Sequence, residues 1–156
     1  PLSRWDSMFA SGVRAHYVSS VLAVPLMILG KQGLMVNLSF FASKRTDKGV
    51  AYSTAKAATD QMIACMAEEM REYNIAAVSI YPGLVRTESV MKAAEYLDLS
   101  NSESPQFIGR AIVALATDNQ IMEKSGLTLI AAELAQEYGF TDIDGKQPRP
   151  LSAAEI

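Results

Sequence analysis

Three short apolar segments, each preceded by a longer helical stretch, constrain the fold of this chain more than any other feature of its sequence. Residues 34–38, 76–81 and 127–131 are almost continuously apolar, which is typical of strands buried on both faces. Helices that alternate with such strands can cover both faces of a parallel sheet. The sequence therefore predicts an α/β fold with a doubly wound parallel sheet.

The predicted helices cover residues 3–29, 51–73 and 105–117. The chain has 156 residues, about half of them hydrophobic, which is enough for one domain with a substantial core. We therefore expect residues 1–156 to form a single domain. Residues 145–156 contain two prolines and are expected to form a loose tail.

The carboxyl edge of the predicted sheet is where we expect the functional site. In parallel α/β sheets, ligands bind beyond the carboxyl ends of the strands. Ser39 directly follows the first strand, and Pro82 and Gly83 follow the second. The loop after Ser39 must cross this edge before the next helix begins, so it can bring Tyr52 to the same place.

Tyr52 and Lys56 lie four residues apart at the start of the 51–73 helix, so they share one helix face. A neighbouring ammonium favours the phenolate, so we expect Lys56 to lower the pKa of Tyr52. Such a tyrosine could act as a general acid or base in carbonyl reduction or alcohol oxidation. The alternative is a packed tyrosine beside a solvated lysine.

Charge and composition argue against several other classes of protein. The net charge is −3 with no basic stripe, which argues against nucleic acid as a partner. A single histidine, His16, makes a histidine metal site or a Ser-His-Asp triad improbable, and no metal site is predicted. A single cysteine, Cys65, excludes an internal disulfide, and we expect it to be a buried, unreactive thiol.

The sequence also bears on location. The apolar run 18–30 has 13 residues, fewer than the ~20 that a membrane span needs, so we expect no transmembrane segment in this sequence. A cytoplasmic location is expected. Membrane association through segments outside this sequence stays open.

Two motifs and a serine resemble the short-chain dehydrogenase/reductase (SDR) family. Tyr52 and Lys56 match the family's Tyr-x-x-x-Lys motif, and residues 82–87, PGLVRT, match Pro-Gly-x-x-x-Thr. The strand before Ser39 resembles the one that carries the family's catalytic serine. The resemblance implies a Rossmann-like fold and runs over nearly the whole chain, but it covers only the C-terminal part of the family's domain.

The resemblance implies roles for these residues in a reaction that uses NAD or NADP and a small-molecule carbonyl or alcohol. Tyr52 would donate or accept the proton on the substrate oxygen. Lys56 would lower the pKa of Tyr52 and hydrogen-bond the nicotinamide ribose, and Ser39 would orient the carbonyl. The cofactor-binding residues that the resemblance implies are Tyr52, Lys56, Pro82, Gly83, Val85 and Thr87.

Three departures from the family pattern matter. No G-x-x-x-G-x-G phosphate loop occurs, so either the first half of the domain lies outside this sequence or the chain holds a dinucleotide poorly. Aligning Asn37 with the family's Asn-Ile-Ser-Ser segment places Phe40 where the catalytic serine would be, and Ser43 is a further candidate. Gly12 stands where many members carry an asparagine.

The resemblance also implies a partner of the same kind. Family members pair through the helices that correspond here to 3–29 and 51–73, so a homo-oligomer, a dimer or tetramer, is expected. Two alternatives remain open. One is a catalytically impaired binding or dimerisation module, and the other is an unrelated α/β protein in which Tyr52 and Lys56 are structural.

Overall fold

The computed structural model describes residues 1–151, and residues 152–156 are not discussed further. The chain divides into two compact units. The first contains Pro1–Ile80 and Gln120–Thr128, and the second contains Tyr81–Asn119 and the residues from Leu129 onward.

A three-stranded sheet confirms the predicted α/β class. The strands are β1 (Gly33–Leu38), β2 (Ile75–Tyr81) and β3 (Thr128–Ile130), in the order β1-β2-β3. Strands β1 and β2 run parallel, with Val36 opposite Val78. The Ser79 N–H donates to the carbonyl of Leu127, just before β3, at 3.1 Å, which is a normal length for a bond between strands. Each strand lies within one or two residues of its predicted position.

The predicted 3–29 helix is present as a continuous helix, Leu2–Gly30. It comprises α1 (Leu2–Phe9), a π-helical turn (Ala10–Arg14) and α2 (Ala15–Gly30). Its length and composition alone would allow it to cross a membrane, and its most apolar part is not buried inside the structure. This helix is longer than the apolar run considered in the sequence, and the absence of a transmembrane segment stays a prediction.

Helix α3 (Val50–Met70) continues as a 3-10 turn, Arg71–Tyr73, and confirms the predicted 51–73 helix. Its buried residues are Ala55, Thr59, Ile63 and Ala67. They recur every four residues because that spacing follows one helix face. Ile63 and Ala67 pack against Met35 of β1 and against Ile75 and Ala77 of β2, with partly buried α2 side chains around them.

Asn74 ends this helix in the left-handed conformation, with φ 57°, and its side chain donates to the Lys31 carbonyl at 3.2 Å. Asn74→Ala is expected to destabilise the chain by about 1–2 kcal/mol, because a Cβ without a compensating polar group disfavours this conformation. Asn74→Gly should cost less, since glycine adopts positive φ freely. Urea unfolding of both variants checks this order, and equal losses would contradict it.

The second unit is built on α4 (Glu88–Lys92), α5 (Pro105–Ala116) and α7 (Ala131–Tyr138). Ser104 caps α5 as its sequence position suggests, since its hydroxyl accepts the Phe107 N–H at 3.0 Å. Helices α5 and α7 pack together over a core that includes the fully buried Phe107, Leu115 and Ala135. The short helix α6 (Ile121–Lys124) belongs to the first unit.

The predicted loose tail begins in the second unit with residues that are held in place. The main chain of Arg149 both accepts from Asn101 Nδ2 at 3.1 Å and donates to Asn101 Oδ1 at 2.9 Å. Pro148 is buried. The rest of that predicted tail, residues 152–156, lies outside the described residues.

Candidate active site

Lys56 is anchored to the carboxyl end of β1. Its ammonium donates to the carbonyl of Leu38, the last residue of the strand, at 2.9 Å. The same ammonium lies 5.8 Å from the centre of the Tyr52 ring. The first turns of α3 therefore lie against the strand end at which the sequence predicted the site, and they carry both Tyr52 and Lys56 there.

Ser39 follows this strand end directly. Its N–H donates to the Ile80 carbonyl at 3.0 Å, which extends the β1–β2 ladder by one bond. The side chain is buried, and among residues 1–151 its hydroxyl has no hydrogen-bond partner. A buried hydroxyl without a partner is costly, so a ligand that used it would remove that cost.

The predicted cofactor residues Pro82, Gly83, Val85 and Thr87 lie in the second unit. The Gly83 N–H donates to the Glu103 carboxylate at 2.9 Å, and the Thr87 hydroxyl accepts the Val90 N–H at the start of α4. A contact between these four residues and the ligand of Tyr52 stays a prediction.

Comparison with known proteins decides the family. The model of the family described as "short chain dehydrogenase" matches residues 1–98, which include the Tyr52 and Lys56 pair and the segment 82–87. The chain belongs to the short-chain dehydrogenase family.

Curated members of this family extend the match over most of the chain. Dehydrogenase/reductase SDR family member 1 of Mus musculus is 38% identical over 159 aligned residues, which cover 94% of this chain and 51% of that protein. The Homo sapiens protein of the same name is 36% identical with the same coverage. This short-chain dehydrogenase chain thus spans about half the length of these relatives.

Solved structures bear on the fold alone. The structure described as "ElxO with NADP Bound" superposes with a TM-score of 0.72 at 18% identity, covering 81% of this chain and 56% of that one. At this identity the likeness concerns the fold. It confirms the predicted doubly wound, Rossmann-like architecture.

The expected lowering of the Tyr52 pKa is wrong for this structure. Burial raises the pKa of Tyr52 above its ordinary value, because a charged phenolate is disfavoured away from water. The ammonium of Lys56 does not offset this, since it lies 5.8 Å from the ring centre and donates to the Leu38 carbonyl. Burial also lowers the pKa of Lys56, against the opposing charge of Asp60.

The phenol of Tyr52 is therefore expected to stay protonated at a pH at which exposed tyrosines, with pKa values near ~10, begin to ionise. The ultraviolet absorbance of tyrosinate measures this directly. The difference between titrations of the wild-type chain and Tyr52→Phe isolates the contribution of this one residue. An ionisation at or below the ordinary value would contradict the burial argument.

The single cysteine and the single histidine have surroundings that the sequence did not reveal. Cys65 is exposed, so the expectation of a buried thiol is wrong. It lies two positions from the buried Ile63, and two residues of a helix turn the side chain about 200° away. Burial, together with the charge of Lys56, lowers the pKa of His16.

A polar cluster in the second unit was not predicted. Asp142, whose side chain is fully buried, accepts from Arg86 at 3.0 Å and from the Ser104 N–H at 2.8 Å. Glu103 lies beside this cluster with 2% of its surface exposed. Their positions in the sequence, 86, 103 and 142, carry no periodic signal that would bring them together.

Proposed function

We propose that this chain is the part of an NAD(P)-dependent oxidoreductase that carries its proton-transfer residues, and that the enzyme interconverts a carbonyl and an alcohol. The observation that carries the proposal is the anchoring of Lys56 at the end of β1, one helical turn from Tyr52. A buried serine hydroxyl without a partner follows at the next residue of that strand end.

The residues of this strand end fit the nicotinamide ribose of such a cofactor. An ammonium has three N–H donors, and among the described residues Leu38 is the hydrogen-bond partner of Lys56. The remaining donors suit the ribose hydroxyls. When bound, the cofactor supplies or accepts the hydride. The comparison protein ElxO is described with NADP, and we propose NADP or NAD for this chain.

The proton belongs to the protein. In the direction of reduction, the carbonyl carbon receives the hydride and its oxygen receives the proton of the Tyr52 hydroxyl. Burial keeps this hydroxyl protonated, so it is a donor in the free chain. Ser39 would donate its own hydrogen bond to the same oxygen and so fix the orientation of the carbonyl.

A homo-oligomer through the Leu2–Gly30 helix and α3 is part of the same proposal. The outer face of α2 exposes large apolar side chains, among them Leu22, Leu26 and Leu29, the last with 80% of its surface accessible. Burying such a face against a second copy would remove apolar area from water. Sedimentation equilibrium measures the association, which the change Leu26→Glu should weaken.

Titration with NADH and NADPH, combined with turnover of a panel of ketones and alcohols, tests the proposal. Cofactor binding with turnover supports it. Binding without turnover favours the impaired module instead, a reading that Phe40, beside Ser39, motivates. The absence of both binding and turnover would refute the oxidoreductase function for this chain.

A further inference from the structure

Glu103 holds the main chain of residues 83–86 at three points. Its own N–H donates to the Leu84 carbonyl at 2.9 Å, and its carbonyl accepts the Arg86 N–H at 2.8 Å. Its carboxylate accepts the Gly83 N–H at 2.9 Å. One residue thus fixes both the path of this segment and the direction of its first amide.

The two main-chain bonds form a parallel bridge between Val85 and Glu103. In a parallel bridge the partner bonds the residues on either side of the bridged one, whose own N–H and carbonyl point away. The Val85 carbonyl accepts the Thr87 N–H at 2.7 Å, and within residues 1–151 no acceptor for the Val85 N–H is present. The bridge therefore leaves the main-chain N–H of Val85 free to donate a hydrogen bond.

The absence of a side chain at Gly83 leaves room for the Glu103 carboxylate. A Cβ added to Gly83 would lie 3.0 Å from Glu103 Oε1 and 3.3 Å from Cδ, closer than ordinary contact. Glycine at this position therefore allows the carboxylate to reach the amide, and a side chain there would displace it.

We propose that Glu103 is a positioning residue, whose carboxylate fixes residues 83–86 so that the Val85 N–H is presented to the nicotinamide cofactor, the ligand that the family resemblance implies for Val85. This inference rests on the proposed function. It adds a residue, outside both family motifs, that would set the affinity of the cofactor without touching it.

The protonation of Glu103 gives the proposal a measurable signature. Burial raises the pKa of Glu103 to about 7, against the lowering effect of the Gly83 N–H, and the charges of Asp142 and Arg86 oppose one another. The charged carboxylate accepts a stronger hydrogen bond than the neutral acid. The hydrogen bond from the Gly83 N–H to Glu103 should therefore weaken as the pH falls below about 7.

The test measures the exchange protection of the Gly83 amide by NMR, corrected for intrinsic exchange, either side of this pKa. In the wild-type chain we expect protection to be about tenfold lower in the acid range. Glu103→Gln, which keeps the shape but cannot ionise, should show no such step, and the exposed Glu95→Gln should behave like the wild type. Gly83→Ala should lose protection throughout.

The dissociation constant of the cofactor should follow the same profile, with weaker binding in acid for the wild type and a flat profile for Glu103→Gln. A step in protection that persists in Glu103→Gln, or none in the wild type, would overturn the inference. So would protection that changes while cofactor affinity does not. Absent binding by the wild type instead refutes the proposed function and the link to the cofactor, while the protection factors still decide whether Glu103 holds the segment.

Discussion

Replacing Tyr52 with phenylalanine is expected to lower kcat for carbonyl reduction by about 10²–10⁴-fold, the range usual for a lost general acid. The change removes one oxygen and keeps the partly buried ring. Cofactor affinity should change far less than kcat, because Lys56 keeps its bond to the Leu38 carbonyl. Steady-state kinetics together with cofactor titration separate the two effects.

Tyr73→Phe is the matched control, since it makes the same change at an exposed position beyond the other end of the same helix. It should leave both kcat and cofactor affinity unaltered. If Tyr52→Phe retained wild-type turnover, the proton would have to come from another group and the proposed mechanism would fail.

Asp142→Ala is expected to destabilise the chain by about 3–5 kcal/mol, the usual cost of removing one partner from a buried ion pair. Four groups donate to this carboxylate: the Arg86 guanidinium, the Ser104 hydroxyl, and the N–H groups of Ser104 and Ile143. Without Asp142 all four donors lose their acceptor, and the two donors of Ser104 lose it in a buried position. Thermal unfolding should show a melting temperature lower by roughly 10 °C for a chain of this size.

The control for this prediction is Asp144→Ala. Asp144 also faces Arg86, but at 3.7 Å and with 37% of its side chain exposed, and such pairs contribute about 0–1 kcal/mol. Equal losses from both variants would show that buried hydrogen bonds are not the cause.

The pH dependence of stability gives a second check on Asp142. Burial alone would raise its pKa, but the hydrogen bonds from Ser104 and Ile143 and the charge of Arg86 hold it below the ordinary value. A lowered native pKa stabilises the fold above the ordinary pKa of aspartate, and this contribution is lost as the pH falls through the lowered value. The wild type should therefore lose more stability in acid than Asp142→Ala does.

Local signals in the sequence were enough to predict most of the first unit. The strands were recognisable as apolar runs, and the predicted end of the 51–73 helix coincides with the end of the 3-10 turn that follows α3. Helix α7 was missed although Ala131, Leu134 and Ala135 have helical spacing. It begins directly after β3, and no glycine or proline between them indicates where the strand ends and the helix begins.

The candidate site was predictable in position but not in electrostatics. The four-residue spacing placed Tyr52 and Lys56 on one face. The direction of the Tyr52 pKa shift instead depends on how deeply the ring is buried and which acceptor takes the ammonium. The same holds for Glu103 and Asp142, whose roles depend on contacts between residues distant in sequence.

The exposed thiol of Cys65 has a practical consequence. It is the single cysteine of the chain and lies in a groove between α2 and α3 with Tyr17 and Val21. A nitroxide attached there would place one unpaired electron on each chain without any mutation. If two copies associate through these helices, dipolar coupling between the electrons would give their separation directly.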